Sequence, residues 1–341
     1  MSEKNLILDA VANKAERSPV WMMRQAGRHL PEYREYKERY TFLELCKTPD
    51  AAVDVSLQPL RRYDMDGVIC FSDILVPLEA MGMELDFNPG PVFAKPIRSI
   101  EDYRALEIPP VETNIPHIFE TLRLLKQELK GKGKALLGFT GAPFTLASYA
   151  IEGKTSKNFE SIKSWSYHSP DTLKEILEGL ADLVADYVLA QQKAGADLVQ
   201  IFDTWAGQLS LEDYREFAAP YTKRIIDRAR EHNLPITLYI NGGSHLIPAM
   251  VECKPDVISV DWRLHIRDYL KMIPEEIAIQ GNLDPAQLFA PPEQVREKTL
   301  EILEATKHRS NHILNLGHGI LPTTPIPGVE AFVDTALNFK K

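Results

Sequence analysis

Short, β-rich apolar runs alternate with longer amphipathic stretches along the whole chain, the pattern of repeated βα units around a parallel sheet. The runs predict strands at 19–23, 66–72, 134–141, 197–204, 235–242, 257–262, 276–283 and 311–318, which makes eight. Between them lie helical patterns. In 170–194, Leu173, Ile176, Leu177, Leu180, Leu183, Val184, Tyr187 and Val188 recur at spacings of three and four, a stripe that packs a core. Helix starts are signalled by Pro170-Asp171, by Ser210 three residues before Asp213, and by Pro291-Pro292-Glu293 ahead of 293–307. The proline- and glycine-rich segment 82–117 reads as a long excursion after the second strand.

Eight evenly spaced strands favour a closed sheet, so the expected fold is α/β, a single (β/α)8 TIM barrel spanning residues 1–341 with its active site at the C-terminal ends of the strands. An open doubly wound sheet is the alternative. It lacks its usual signature here, since no G-x-G-x-x-G follows the first strand.

The start, Met1-Ser2-Glu3-Lys4-Asn5-Leu6, shows no signal-peptide core, and no apolar run reaches the roughly 18 residues of a membrane helix. A cytoplasmic protein without a membrane partner is therefore expected. Cys46, Cys70 and Cys253 are odd in number, widely separated and without a C-x-x-C pair, which fits buried thiols better than a disulfide framework or a zinc site. A net charge of −9 argues against a nucleic-acid partner. Any anionic ligand must then be met by a local cluster of cations.

In a closed parallel barrel the loops leaving the C-terminal ends of the strands build the active site. Those ends carry Arg24, Gln25, Ala26, Gly27, Arg28 and His29 after the first strand, Ser72-Asp73 after the second, and Gly141-Ala142-Pro143 with Tyr149 after the third. Asp203-Thr204-Trp205 follows the fourth, and Gly317-His318-Gly319 closes the eighth. Each has an ordinary explanation. Asp73 or Asp203 alone would cap a helix or bind backbone amides. Arg24 and Arg28 would lie four apart on a surface helix, paired with Glu32, although Gly27 suits such a helix poorly. His318 alone would be a satisfied core histidine, and Tyr149 alone would be packing. Together, at successive strand ends, they point to arginine-rich anion binding beside a carboxylate. No H-E-x-x-H, phosphate-binding loop, G-x-S-x-G elbow or acidic calcium loop is present, and lysines are scarce at strand ends.

Two segments, PVWMMRQAGRHLPEYR (19–34) and GFTGAPFTLASYAIEG (138–153), resemble the signature segments of the uroporphyrinogen decarboxylase family. The resemblance continues through LQPLRRYDMDGVICFSDILV (57–76), IFDTWAGQLS (201–210), QGNLDP (280–285) and NLGHGILPTTP (315–325), covering essentially the whole chain. It implies a (β/α)8 barrel, a homodimer with facing active-site mouths, and cytoplasmic activity on uroporphyrinogen without metal or organic cofactor. It further implies that Arg24, Gln25, Ala26, Gly27 and Arg28 supply substrate-binding groups, that Asp73 is the central catalytic carboxylate, and that Tyr149, Thr204 and His318 line the cleft. His29 stands where many members carry an aromatic residue, and Thr204 where serine is common.

These residue types suit the implied decarboxylation. An ionised Asp73 is acceptor-only and can take several pyrrole N–H bonds at once, and it opposes the cation formed when the ring accepts electrons. Arg24 and Arg28 can hold carboxylates in forks. The residues leave the proton donor open between Arg24, acting directly or through water, and His318, whose expected work is a bond to a peripheral carboxylate. Two alternatives stand beside this reading: a corrinoid or coenzyme M methyltransferase, whose His-x-Cys zinc pair is replaced by Tyr239-Ile240-Asn241 here, and a non-catalytic tetrapyrrole binder.

Overall fold

Runs of valine, leucine and isoleucine with no polar face can be satisfied only when both sides of a strand are covered, as in a parallel sheet flanked by helices. The computed structural model, which describes residues 5–87, 90–108 and 110–340, shows this arrangement. Its strands are β1 Gly67–Ile69, β2 Leu85–Phe87, β3 Pro91–Phe93, β4 Ala135–Gly141, β5 Leu198–Phe202, β6 Ile236–Tyr239, β7 Val257–Ser259, β8 Ala278–Leu283 and β9 His312–Leu316. Seven of them form one sheet in the order β1-β4-β5-β6-β7-β8-β9, every neighbouring pair parallel. Each coincides with one of the expected strands.

Alternation along the strands separates two cores. Val68, Leu136, Val199, Ile201, Leu238, Ile258, Ile279 and Leu314 join the larger cluster, with Leu173, Ile176, Leu180 and Val184 of helix Pro170–Lys193. Ile69, Leu137, Leu198, Tyr239, Val257, Ala278 and Ile313 join a second cluster with Trp21, Met23 and, from helix Leu6–Val11, Ile7 and Ala10. That second core also holds a buried polar chain. The Trp21 indole N–H donates to Gln280 Oε1 at 2.9 Å, and Gln280 Nε2 donates to Gln200 Oε1 and Ser259 Oγ, both at 2.9 Å.

The strand expected at 19–23 is reduced to a single bridging residue, Val20, opposite Leu314. The reason lies in where its backbone donors go. Val20 N–H donates to Asp66 Oδ2 (2.8 Å), Met22 N–H to Gln25 Oε1 (3.0 Å) and Met23 N–H to Asn315 Oδ1 (2.9 Å), so side chains replace a regular ladder. The segment nevertheless touches both edge strands of the sheet. Leu314 N–H donates to Pro19 O at 2.8 Å, and Asp66 N–H, at the start of β1, donates to Val20 O at 2.9 Å. Asp66 is itself gripped by a two-bond fork from Arg17 at 2.7 and 2.8 Å.

The expected excursion at 82–117, of which residues 88, 89 and 109 lie outside the described residues, is more structured than its composition suggests. Strands β2 and β3 pair there as an antiparallel hairpin, followed by short helices at Ile100–Arg104 and Val111–Asn114. Ser210 caps helix Leu211–Phe217 as expected, its Oγ accepting from Asp213 N–H at 3.0 Å. Residues 1–4, where no signal sequence is expected, also lie outside the described residues. No helix among the described residues is long and apolar enough to cross a membrane.

Because the Arg17–Asp66 fork holds the 19–23 segment against β1, Asp66→Ala leaves a cation and the Val20 N–H without their acceptor. Loss of one partner of such a buried pair costs about 3 kcal/mol or more. Urea unfolding of the variant should show that loss; a change below about 1 kcal/mol would mean the fork holds nothing in place.

Candidate active site

The loop after the 19–23 segment does not continue as a helix. Arg24 adopts a left-handed backbone with φ of 60°, and Gly27 does so with φ of 73°. A Cβ on Gly27 would stand 2.2 Å from Cε2 of the buried Phe71 ring, so both the conformation and the space require glycine. The surface-helix alternative for Arg24 and Arg28 is thereby excluded. The acid it would have used, Glu32, pairs with Arg62 instead.

Five residues of this loop do different work. Gln25 is fully buried; besides accepting from Met22, it donates to Gly67 O at 2.9 Å, tying the loop to β1. Its side chain is part of the framework that shapes this loop, which is expected to supply substrate-binding groups. Ala26 is buried, and Gly27 lies against Phe71. Arg24 is exposed and runs over Gly319, where a Cβ would come within 2.4 Å of its Cδ. Arg28 is half-buried, and burial with the neighbouring Arg24 charge pushes its guanidinium down to about 10, which still leaves it a cation at neutral pH.

Asp73 follows β1 and faces this pair. Its Oδ1 accepts from Leu75 N–H at 2.8 Å, the ordinary loop bond of an aspartate after a strand, while Oδ2 has no protein donor among the described residues. Burial pushes the carboxyl up to about 6; the Leu75 bond and the charges of Arg24 and Arg28 only partly offset it. Tyr149, on helix Pro143–Glu152, is raised by burial and feels both Asp73 and Arg24, which places all of them around one cleft. Its ring meets Trp205 edge-on at 5.9 Å. Thr204 stands half-buried at the exit of β5, its hydroxyl free of protein partners among the described residues. Beside it, Asp203 is structural. It is fully buried, accepts from Thr145 Oγ1 at 2.8 Å, and is pushed by burial up to about 7, so it anchors the helix that carries Tyr149.

His318 leaves β9 half-buried. Burial, followed by the charges of Arg24, Arg28 and Arg263, pushes its imidazole down to about 4, so it is neutral near pH 7. Its Nδ1 lies 2.8 Å from the Tyr239 hydroxyl, which also donates to Gly317 O at 2.9 Å, and the two rings stack at 5.8 Å. One phenol proton serves both bonds. When it goes to Gly317 O, Nδ1 carries the imidazole hydrogen and Nε2 is an acceptor; when it goes to Nδ1, Nε2–H becomes a donor to the cleft.

Sequence reasoning missed Tyr239, Asp261 and Arg263. All three lie at or beyond the ends of β6 and β7, where the same strand-end rule would have found them. His29, the departure from the resemblance, is buried in the core: its Nε2 lies 2.9 Å from Tyr63 Oη and the rings stack, while Nδ1 has no partner among the described residues. Cys46, Cys70 and Cys253 are buried and reduced, with burial holding the thiols of Cys70 and Cys253 up at about 12. No group of three or more His, Cys, Asp or Glu that could hold a metal occurs among the described residues.

The raised Asp73 carboxyl has a signed consequence. Its proton binds more tightly in the folded state (about 6) than at the usual carboxylate value, so ionising it costs stability, a cost complete above about pH 6 and absent below about pH 4. Asp73→Asn, which keeps an acceptor for Leu75, should raise unfolding stability by about 1–3 kcal/mol at pH 8 and leave it unchanged at pH 4. A pH-independent difference between the two proteins would show that the carboxyl is not buried at this cost.

Residues 2–339 match the family described as uroporphyrinogen decarboxylase (URO-D). A uroporphyrinogen decarboxylase of Geobacter sp. (strain M21) is 46% identical over 322 residues, covering 93% of this chain and 94% of that protein. One from Trichlorobacter lovleyi is 43% identical over 331 residues, covering 97% of each. Among solved structures, a methyltransferase from Methanosarcina mazei superposes with a TM-score of 0.84 at 21% identity over 99% of each chain. A B12-independent methionine synthase from Shewanella sp. W3-18-1 gives 0.56 at 11% identity over 85% of each. At such identities these two likenesses concern the fold alone.

Proposed function

The chain belongs to the uroporphyrinogen decarboxylase family, and from that premise we propose that it converts the acetate arms of uroporphyrinogen III to methyl groups, releasing carbon dioxide and giving coproporphyrinogen III. The observation that carries this reading is a carboxylate, Asp73, with an unengaged oxygen in a cleft edged by Arg24, Arg28 and His318. An octacarboxylate ring with inward N–H donors is complementary to that arrangement: anion outside, donors inside.

The chemistry needs only the substrate's own ring as electron sink. Protonation of a pyrrole α-carbon makes a cation; the bond from the acetate methylene to its carboxylate then breaks, carbon dioxide leaves, and the electron pair neutralises the ring. A second proton adds to the exocyclic carbon to make the methyl group, and the first is returned, so each turn consumes one proton. An ionised Asp73 about 4 Å from the cationic ring stabilises it by roughly 4 kcal/mol at an effective dielectric near 20, before desolvation is subtracted. Arg24 and Arg28 hold carboxylates in forks, which fixes the scissile bond relative to the ring. The N–H groups of Ala26, Gly27 and Arg28 carry no backbone hydrogen bond among the described residues and can add to this hold. Tyr149 and Thr204 line the wall. With His318 neutral, its part is the Nε2–H state bound to a peripheral carboxylate, and the final protonation falls to Arg24, directly or through water.

We extend the proposal to the architecture: Pro19–Met23 acts as the eighth stave, closing one (β/α)8 barrel that constitutes a single domain. The hydrogen bonds of Pro19 and Val20 to Leu314 and Asp66 support this closure. The enzyme is proposed to work in the cytoplasm as a homodimer, without metal or organic cofactor.

The sequence leaves one second reading to weigh, transfer of a methyl group to a thiol held on zinc, to which the structural likeness adds only the shared fold. The chain's thiols oppose it, since all three are buried and protonated, and Tyr239-Ile240-Asn241 offers no His-x-Cys pair. A tetrapyrrole binder without chemistry would keep ring affinity and release no carbon dioxide.

Anaerobic incubation of metal-analysed protein with uroporphyrinogen III, with products oxidised and weighed by mass spectrometry, decides among them. The expected result is stepwise loss from eight carboxyl groups to four, unaffected by chelators; unchanged substrate despite tight binding would overturn the decarboxylase reading. Arg24→Ala should lower turnover by about a hundredfold, the usual worth of a positioned proton-transfer group. A near-normal rate would remove Arg24 from the chemistry.

A further inference from the structure

The cations assigned so far, Arg24 and Arg28, come from one loop beside β1 and β9, yet a macrocycle carries carboxylates around its whole rim. A third guanidinium stands on a different sector of the cleft. Arg263 follows β7, and its charge acts on His318 and on Tyr239, as that of Arg24 does. The backbone confirms this proximity: a Cβ on Gly317, next to His318, would lie 2.6 Å from Trp262 N.

Arg263 is held in place more firmly than a surface arginine. Asp261, whose side chain is only 1% exposed, accepts from Gly242 N–H (2.8 Å), Arg263 N–H (3.0 Å) and Tyr269 Oη (2.9 Å), and it also receives Arg263 Nη1. The same Nη1 donates to Asn241 Oδ1 at 3.1 Å, and the guanidinium lies 4.7 Å from the Trp262 ring centre. Both protein bonds of the guanidinium thus use one nitrogen. Nε and Nη2 have no acceptor among the described residues, and the side chain remains 45% exposed. An arginine kept only to neutralise Asp261 would not need an aromatic platform and an asparagine tether that together orient its free edge. A planar fork with two free donors matches a carboxylate.

We propose that Arg263 is a specificity-determining residue, whose Nε–H and Nη2–H edge takes a propionate carboxylate of the macrocycle. The inference rests on the decarboxylase reading. Propionate is favoured over acetate because Arg24 and Arg28 are the cations acting on Asp73, where the reacting arm must lie; all three arginines act on His318, but Arg263 is not among the leading charges on Asp73. A propionate persists through every turn, so this contact orients the ring in all four decarboxylations.

The test uses coproporphyrinogen III, which keeps only propionates, and its tetramethyl ester, in anaerobic equilibrium binding to the full-length protein. Arg263→Gln should weaken binding of the acid about tenfold or more, the worth of a charge-assisted pair, and leave binding of the ester within about twofold. In turnover of uroporphyrinogen III the variant should raise KM by a similar factor at each step, with kcat little changed. Arg263→Lys, which keeps the charge near Asp261 but lacks the fork, should fall between Gln and wild type for the acid and match wild type for the ester; it serves if the Gln variant fails to fold. Wild-type affinity for the acid in both variants, or equal losses for acid and ester, would overturn the assignment. Failure of the wild-type protein to decarboxylate uroporphyrinogen would instead overturn the reading on which it rests.

Discussion

The site depends on how one short segment is pinned. Residues 17–28 run from the Arg17–Asp66 fork to Arg28, and side chains hold almost every step: Asp66 on Val20, Gln280 on Trp21, Asn315 on Met23, Gly67 O on Gln25. Those anchors lie on β1, β8 and β9 or immediately before β1, so the segment is registered against both edges of the sheet at once. Arg24, Gly27 and Arg28 are thereby delivered to the cleft in a conformation that local propensity would not choose, with Arg24 at positive φ. Strain of that kind, of order 1–3 kcal/mol, persists only where the surroundings over-determine the backbone.

Around that segment the electrostatics are reciprocal. A chain with net charge −9 places three arginines at the cleft and sets a carboxylate beside two of them, Arg24 and Arg28. The arginines make the protonated form of His318 unfavourable and the ionised form of Asp73 less unfavourable than burial alone would allow. The result is a neutral imidazole, a carboxylate poised near pH 6, and cations directed toward the rim.

Much of this was legible in the sequence. The seven sheet strands, the long helix with its Leu173-to-Val188 stripe and the Ser210 cap follow from periodicity and cap chemistry, which are local. Asp73, Arg24, Arg28, Tyr149 and His318 converge because they sit at strand ends, a rule of topology. The 19–23 segment keeps only one bridge of its expected strand because its apolar composition is that of a strand while its donors are claimed by Asp66, Gln25 and Asn315, partners that only tertiary structure reveals. Gln25 reads as a site residue by position, yet its amide turns inward to Gly67. Tyr239 reads in the sequence only as the place where a zinc pair is lacking, and Arg263 is unremarkable alone; their meaning comes from contacts with Gly317, His318 and Asp261.

The central claim is that an ionised Asp73 receives the macrocycle. Its most direct test is the ratio of coproporphyrinogen III affinities of wild type and Asp73→Asn, measured anaerobically from pH 5 to pH 8 so that ionisation of the ligand cancels. The ratio should climb from near one at pH 5 to about tenfold or more at pH 7.5, with an inflection near the carboxyl value of about 6. A ratio that stays flat across that range would show that the carboxylate does not hold the ring.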